Sequence, residues 1–96
     1  MLRPMKEPTN QVTVTVRNAQ GLHMRPADLL VRTAGRFASN IVFERAGQRV
    51  DCKSILGILT LGATQGSELN IQADGPDAQQ AISEIVGLFD RSFDEA

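Results

Sequence analysis

The chain has 96 residues, enough for one small domain with one core and too few for two. Its balance is globular, 42% hydrophobic and 22% charged, and a formal net charge of −1 gives no global field that would draw it to nucleic acid or an anionic membrane. Trp and Tyr are absent, which removes the usual base-stacking platforms, the apolar runs are too short for membrane insertion, and the lone Cys52 excludes an internal disulfide.

In chain order, residues 1–9 are charged and broken by Pro4 and Pro8, with no apolar signal-peptide core. They are expected to form a flexible N-terminal lead to a single domain over residues 10–96, in a cytoplasmic protein. Residues 11–17 alternate, with Val12, Val14 and Val16 against Thr13, Thr15 and Arg17, the pattern of a half-buried strand. A polar loop over residues 18–21 leads to a helix from about Arg25 to Gly35 or Arg36, whose apolar positions are Ala27, Leu30, Val31, Ala34 and Phe37. Residues 40–45 form a second strand with Ile41 and Phe43 on one face. A tight turn at Ala46-Gly47-Gln48 returns the chain into a short strand over residues 49–51.

Ser54 then caps a run from Ile55 to Leu61 that Gly62 stops, either a helix of two turns or a buried strand. Leu69, Ile71 and Ala73 mark another strand. Gly75-Pro76-Asp77 opens a last helix with an apolar face of Ala78, Ala81, Ile82, Ile85, Val86 and Phe89, and residues 91–96 read as a polar tail. The order βαββαβα fits an α+β fold, an antiparallel sheet with helices on one face and the other face wet.

The chemistry concentrates around the single histidine, in Gly21-Leu22-His23-Met24-Arg25-Pro26-Ala27. Proline in a first helical turn gives up an N–H that would be unpaired anyway, so His23 falls at or just before a helix start. Unpaired N–H groups and the helix dipole make such a start an anion site. A neutral imidazole can attack phosphorus, and Arg25 and the nearby amides can hold the phosphoryl group that results. The plainer reading of His23 is a cap or a surface residue.

Ser54 also has two readings, an N-cap alone or a phosphorylation site whose charge the helix start tolerates. In the run after it, helical spacing buries Ile58 and Leu61 and leaves Ile55, Leu56 and Leu59 on or near the surface. These form either a docking patch or more of the core. A metal or hydrolytic site built from His23 and Cys52 has too few ligands for zinc and no third group to orient a Cys–His pair. Cys52 is read instead as a small, partly buried residue at a strand end, and no metal or other cofactor is expected.

Taken together, these segments resemble HPr, the histidine-containing phosphocarrier of the bacterial phosphotransferase system, from about Val12 to the last helix. The segment around His23 is similar to the family's active-site signature. Lys53-Ser54-Ile55-Leu56-Gly57-Ile58-Leu59-Thr60-Leu61-Gly62 is similar to its regulatory-serine signature, and Gln65-Gly66-Ser67-Glu68-Leu69 and Ala73-Asp74-Gly75 resemble the surroundings of its last strand. The resemblance implies an open-faced β-sandwich, a four-stranded antiparallel sheet with three helices on one face. It also implies a carrier, itself not an enzyme and active as a monomer, that takes a phosphoryl group on the δ1 nitrogen of His23 from Enzyme I and passes it to EIIA-type acceptors. Arg25 and the amides of Met24 and Arg25 would hold the phosphate. Met24, Ile55, Leu56 and Leu59 would dock partners, and Ser54 would be the target of HPr kinase/phosphorylase.

Met24 stands where the family usually has a smaller residue, and Asp28 where it more often has a neutral one. The ending Gly87-Leu88-Phe89-Asp90-Arg91-Ser92-Phe93-Asp94-Glu95 is similar to the nitrogen-branch relative NPr, while the Ser54 region is closer to ordinary HPr, which leaves the branch open. The other function that such a fold supports is regulation by binding partner enzymes or transcription factors.

Overall fold

The computed structural model describes residues 10–95; the expected lead over residues 1–9 lies outside them. The elements are β1 (Asn10–Thr15), α1 (Met24–Ala34), β2 (Asn40–Arg45), β3 (Gln48–Asp51), α2 (Ile55–Thr60), β4 (Glu68–Asp74) and α3 (Ala78–Asp90), followed by a 3₁₀ turn at Ser92–Asp94. The strands form one four-stranded sheet in the order β1-β4-β2-β3. Each neighbouring pair is antiparallel.

Register places inward residues opposite one another: Val14 faces Leu69 across β1 and β4, and Phe43 faces Ile71 across β2 and β4. β1, β2 and β4 therefore send alternate side chains into the core, while Thr13, Thr15, Glu44, Asn70 and Gln72 keep the opposite face polar. The three helices cover the inward face. α3 packs on β1, β4 and β2, α1 on α3, and α2 on α1 and β3. Leu30, Phe43, Ile58, Ile71 and Ile85 are fully buried in the common core. Each such side chain contributes about 1.5–3 kcal/mol by leaving water.

The helix reading of residues 55–61 holds, and the strand alternative does not. Ser54 is the N-cap, and its Oγ accepts a hydrogen bond from the Gly57 N–H at 3.1 Å. Ile58 and Leu61 are buried, Ile55 and Leu59 are half-buried against the core, and Leu56 is 71% exposed. Ala46 and Gly47, both at positive φ, form the two-residue turn between β2 and β3. Positive φ at both central residues is the geometry whose twist matches a hairpin.

One expectation, the polar tail, needs correction, and the start of α3 adds a long-range tie. Asp77 is the N-cap residue of α3 but makes no side-chain bond to that helix. Its carboxylate turns back to accept from the N–H groups of Ala38 and Ser39 and from the Ser39 hydroxyl, tying the start of α3 to the chain entering β2. The polar tail is a packed element. Phe93 is fully buried, its ring meeting the Phe89 ring edge-on at 4.9 Å between centroids. Ser92, Phe93 and Asp94 take φ of 51°, 55° and 59° in making that turn. Left-handed backbone costs non-glycine residues energy, and burial of an aromatic ring offsets it.

Candidate functional site

His23 is the N-cap residue of α1, with extended backbone at φ −83° and ψ −167°. The loop before it is pinned from two sides. The Leu22 N–H donates to the Ala63 carbonyl at 3.0 Å, and Asn18 Nδ2 donates to the Gly21 carbonyl at 2.7 Å. Gly21 sits at φ +68°, and a Cβ there would lie 2.4 Å from the Ala63 carbonyl oxygen, so the chain passes too close for any side chain. Leu22 anchors the loop in the core at 5% exposure.

Helix geometry leaves the N–H groups of Met24 and Arg25 without intrahelical acceptors. Pro26 has no N–H, and the Ala27 N–H already donates to the His23 carbonyl at 3.0 Å. The start of α1 thus presents two amide donors beside the imidazole. The His23 side chain makes no capping bond to the helix, and about a third of it (35%) is exposed. This is an open site with few donors, able to neutralise an anion without enclosing it.

The side chain that meets His23 comes from the other end of the chain. His23 Nε2 lies 2.9 Å from Glu95 Oε2. Arg25 Nη1 donates to the Phe93 carbonyl at 2.8 Å and lies 3.5 Å from Glu95 Oε2. Asn18 Nδ2 donates to Glu95 Oε1 at 3.1 Å, while the buried Asn18 Oδ1 has no partner among the described residues. Burial opposes ionisation of Glu95. Hydrogen bonds from Asn18 and His23 and the charges of His23 and Arg25 outweigh it and hold the carboxyl below its ordinary value.

Asn18, Phe93 and Glu95 are the site residues that sequence reasoning missed. An aromatic residue inside the acidic run Ser92-Phe93-Asp94-Glu95 was the available signal, since an isolated Phe needs somewhere to be buried.

The remaining candidates distribute as follows. Met24, at 61% exposure, and Leu56 are the large apolar side chains left exposed among the described residues. They stand on two helices that pack against each other. Ile55 and Leu59 add half-buried apolar surface to α2. Ser54 is half-buried, and its oxygen is engaged as the cap. Asp28 pairs with Arg32 one turn along α1, at 2.9 Å between Oδ2 and Nε. Cys52 is fully buried in the core, and that burial pushes its thiol well above the ordinary range. It makes no pair with His23.

Comparison with known proteins agrees with this geometry. Residues 10–91 match the family model described as the PTS HPr component phosphorylation site. The chain is 46% identical to the phosphocarrier protein HPr of Treponema pallidum over 83 residues, covering 86% of this chain and 94% of that protein. It is 39% identical over 85 residues to the HPr of Cupriavidus necator, covering 88% and 96%. Among solved structures it superimposes on an HPr from Thermoanaerobacter tengcongensis with a TM-score of 0.88 at 41% identity, over 91% of this chain and 98% of that one. The swapped dimer of the Bacillus subtilis catabolite repression protein Crh gives a TM-score of 0.70 at 33% identity, over 96% and 97%. The chain belongs to the HPr family, the phosphocarriers of the phosphotransferase system. Among the described residues, no helix is long and apolar enough to cross a membrane.

Proposed function

We propose that His23 accepts a phosphoryl group from Enzyme I and passes it to a histidine of an EIIA-type acceptor. On loading, the lone pair of His23 Nδ1 forms the N–P bond while the bond from phosphorus to the Enzyme I donor atom breaks with its electron pair. On unloading, the lone pair of the acceptor histidine forms the new N–P bond and the electron pair of the broken bond returns to the His23 ring. Catalysis of this kind is mostly positioning and charge stabilisation. Arg25 and the N–H groups of Met24 and Arg25 receive the charge, and the open surface lets it leave again. The observation that carries the reading is the imidazole at the start of α1, free of a capping bond and beside Arg25.

Met24, Ile55, Leu56 and Leu59 supply the apolar surface for both partners, the usual centre of a transient interface. Ser54 is the target of HPr kinase/phosphorylase; a phosphate there adds about −1.5 to −2 charges beside that surface and weakens docking to an acidic Enzyme I face. The protein works in the cytoplasm as a monomer that is not itself an enzyme, needs no cofactor and takes no nucleic acid.

The test is phosphorus NMR after mixing the protein with phosphoenolpyruvate and a catalytic amount of Enzyme I. The expected result is an acid-labile phosphohistidine signal that His23→Ala abolishes. No signal with Enzyme I of either branch would overturn the carrier reading. It would favour a regulator acting by binding partner enzymes or transcription factors, a reading that the likeness to Crh supports.

A further inference from the structure

The last described residue reaches one ring nitrogen. Glu95 Oε2 lies 2.9 Å from His23 Nε2. An ionised carboxylate only accepts hydrogen bonds, so the proton on this ring belongs to Nε2. Nδ1 then carries the lone pair, and the helix does not claim it, because the His23 side chain makes no capping bond.

The carboxylate is itself held in place. Asn18, 5% exposed and tied to the Gly21 carbonyl, donates to Oε1. Arg25 donates to the Phe93 carbonyl and lies beside Oε2, and Phe93 is locked under the Phe89 ring. A carboxylate fixed this firmly on one nitrogen of a histidine selects the tautomer and orients the ring, as in other pairs where the second nitrogen does the chemistry.

We infer that Glu95 is a positioning residue for phosphoryl transfer: it fixes His23 as the Nε2–H tautomer, leaves Nδ1 as the nucleophile, and balances the charge that the ring gains. The inference rests on His23 being the phosphoryl acceptor. When Nδ1 gives its lone pair to phosphorus, the donor's bond to phosphorus breaks with its electron pair. The proton stays on Nε2, and the ring becomes a phosphoimidazolium cation facing the Glu95 carboxylate. Return transfer to an acceptor reverses these changes and restores the neutral ring.

Because His23 is the only histidine in the chain, its imidazole nitrogens can be read without overlap. The experiment compares nitrogen-15 shifts of histidine-labelled wild type, Glu95→Ala and Glu95→Gln above the imidazole titration. It then measures phosphate uptake from phosphoramidate, a small donor that releases ammonia as its N–P bond breaks and needs no protein partner. The wild type is expected to show a single Nε2–H tautomer. Glu95→Ala should move both nitrogens toward tautomer averaging and slow uptake about 3- to 10-fold, the size of a charge-assisted hydrogen bond discounted for partial exposure. Glu95→Gln, which keeps an acceptor oxygen and loses the charge, should keep the tautomer and still slow uptake.

Unchanged ring shifts and unchanged uptake in Glu95→Ala would overturn the positioning role. If the wild type took up no phosphate from phosphoramidate or from phosphoenolpyruvate with Enzyme I, the carrier reading would fall, and the tautomer comparison would still decide whether Glu95 sets the ring.

Discussion

Replacing Gly21 by alanine separates two costs that usually arrive together. Gly21 and Gly62 have nearly the same φ, +68° and +61°, but a Cβ at Gly62 meets nothing within 4 Å. At Gly21 it would lie 2.4 Å from the Ala63 oxygen and 2.9 Å from the Thr64 Cα, both backbone atoms that cannot rotate away. Gly62→Ala should therefore lose only the left-handed penalty, about 1 kcal/mol. Gly21→Ala should lose that and also push the loop off Ala63, breaking the bond from the Leu22 N–H and leaving polar groups poorly paired, for about 3 kcal/mol in all. At about 4–8 °C per kcal/mol for a domain of this size, the Tm should fall by about 4–8 °C for Gly62→Ala and about 12–24 °C for Gly21→Ala. Thermal melts followed by circular dichroism measure both, and amide spectra of Gly21→Ala should show the largest shifts at His23 and Met24. Equal losses in the two variants would refute the claim that close backbone approach, rather than φ alone, places the histidine loop.

Ser54→Ala removes the side-chain acceptor of the Gly57 N–H and should lower stability by about 1 kcal/mol in urea titration, with the m-value unchanged. The Asp77 carboxyl lies below its ordinary 3.8, held there first by the Ser39 hydroxyl and then by the Ala38 N–H. A folded-state value below the unfolded one means that the unfolded chain binds more protons in the window between them. The stability this contributes is full above the ordinary value and is lost as pH falls through the folded one. Melting temperatures measured downward from pH 6 should therefore drop less steeply below about pH 4 in Asp77→Asn than in the wild type; parallel curves would contradict this.

Sequence periodicity located the elements that depend on local pattern. Val14, Ile41, Phe43, Leu69 and Ile71 alternate because they line one face of a sheet, and Ser54 before an apolar run capped a helix as its chemistry predicts. The first turn of α1 was legible for the same reason, since Pro26 lies only three positions after His23. Local pattern failed where partners are distant. Nothing local in the sequence paired Asp77 with Ala38 and Ser39, whose N–H groups hold its carboxylate across nearly forty residues. The contacts of Glu95 with His23 and Asn18 span 72 and 77 residues, and no spacing rule reaches that far. The backbone of Ser92, Phe93 and Asp94 runs against local preference, so only the buried place of Phe93 under α3 accounts for it.

That long span has a consequence for how the protein comes into being. A chain emerging from the ribosome has the α1 segment, with His23 at its start, synthesised before β4 and α3 exist. Joining distant segments costs closure entropy that only later packing repays, so the ring–carboxylate pair is among the last contacts to form. The histidine segment is therefore present early in synthesis, whereas the ring paired with its carboxylate belongs to the finished fold. The pair is in this sense a built-in readiness mark: spectra of the single imidazole report whether the strand order β1-β4-β2-β3 has been assembled and the far end of the chain has been delivered to the near one.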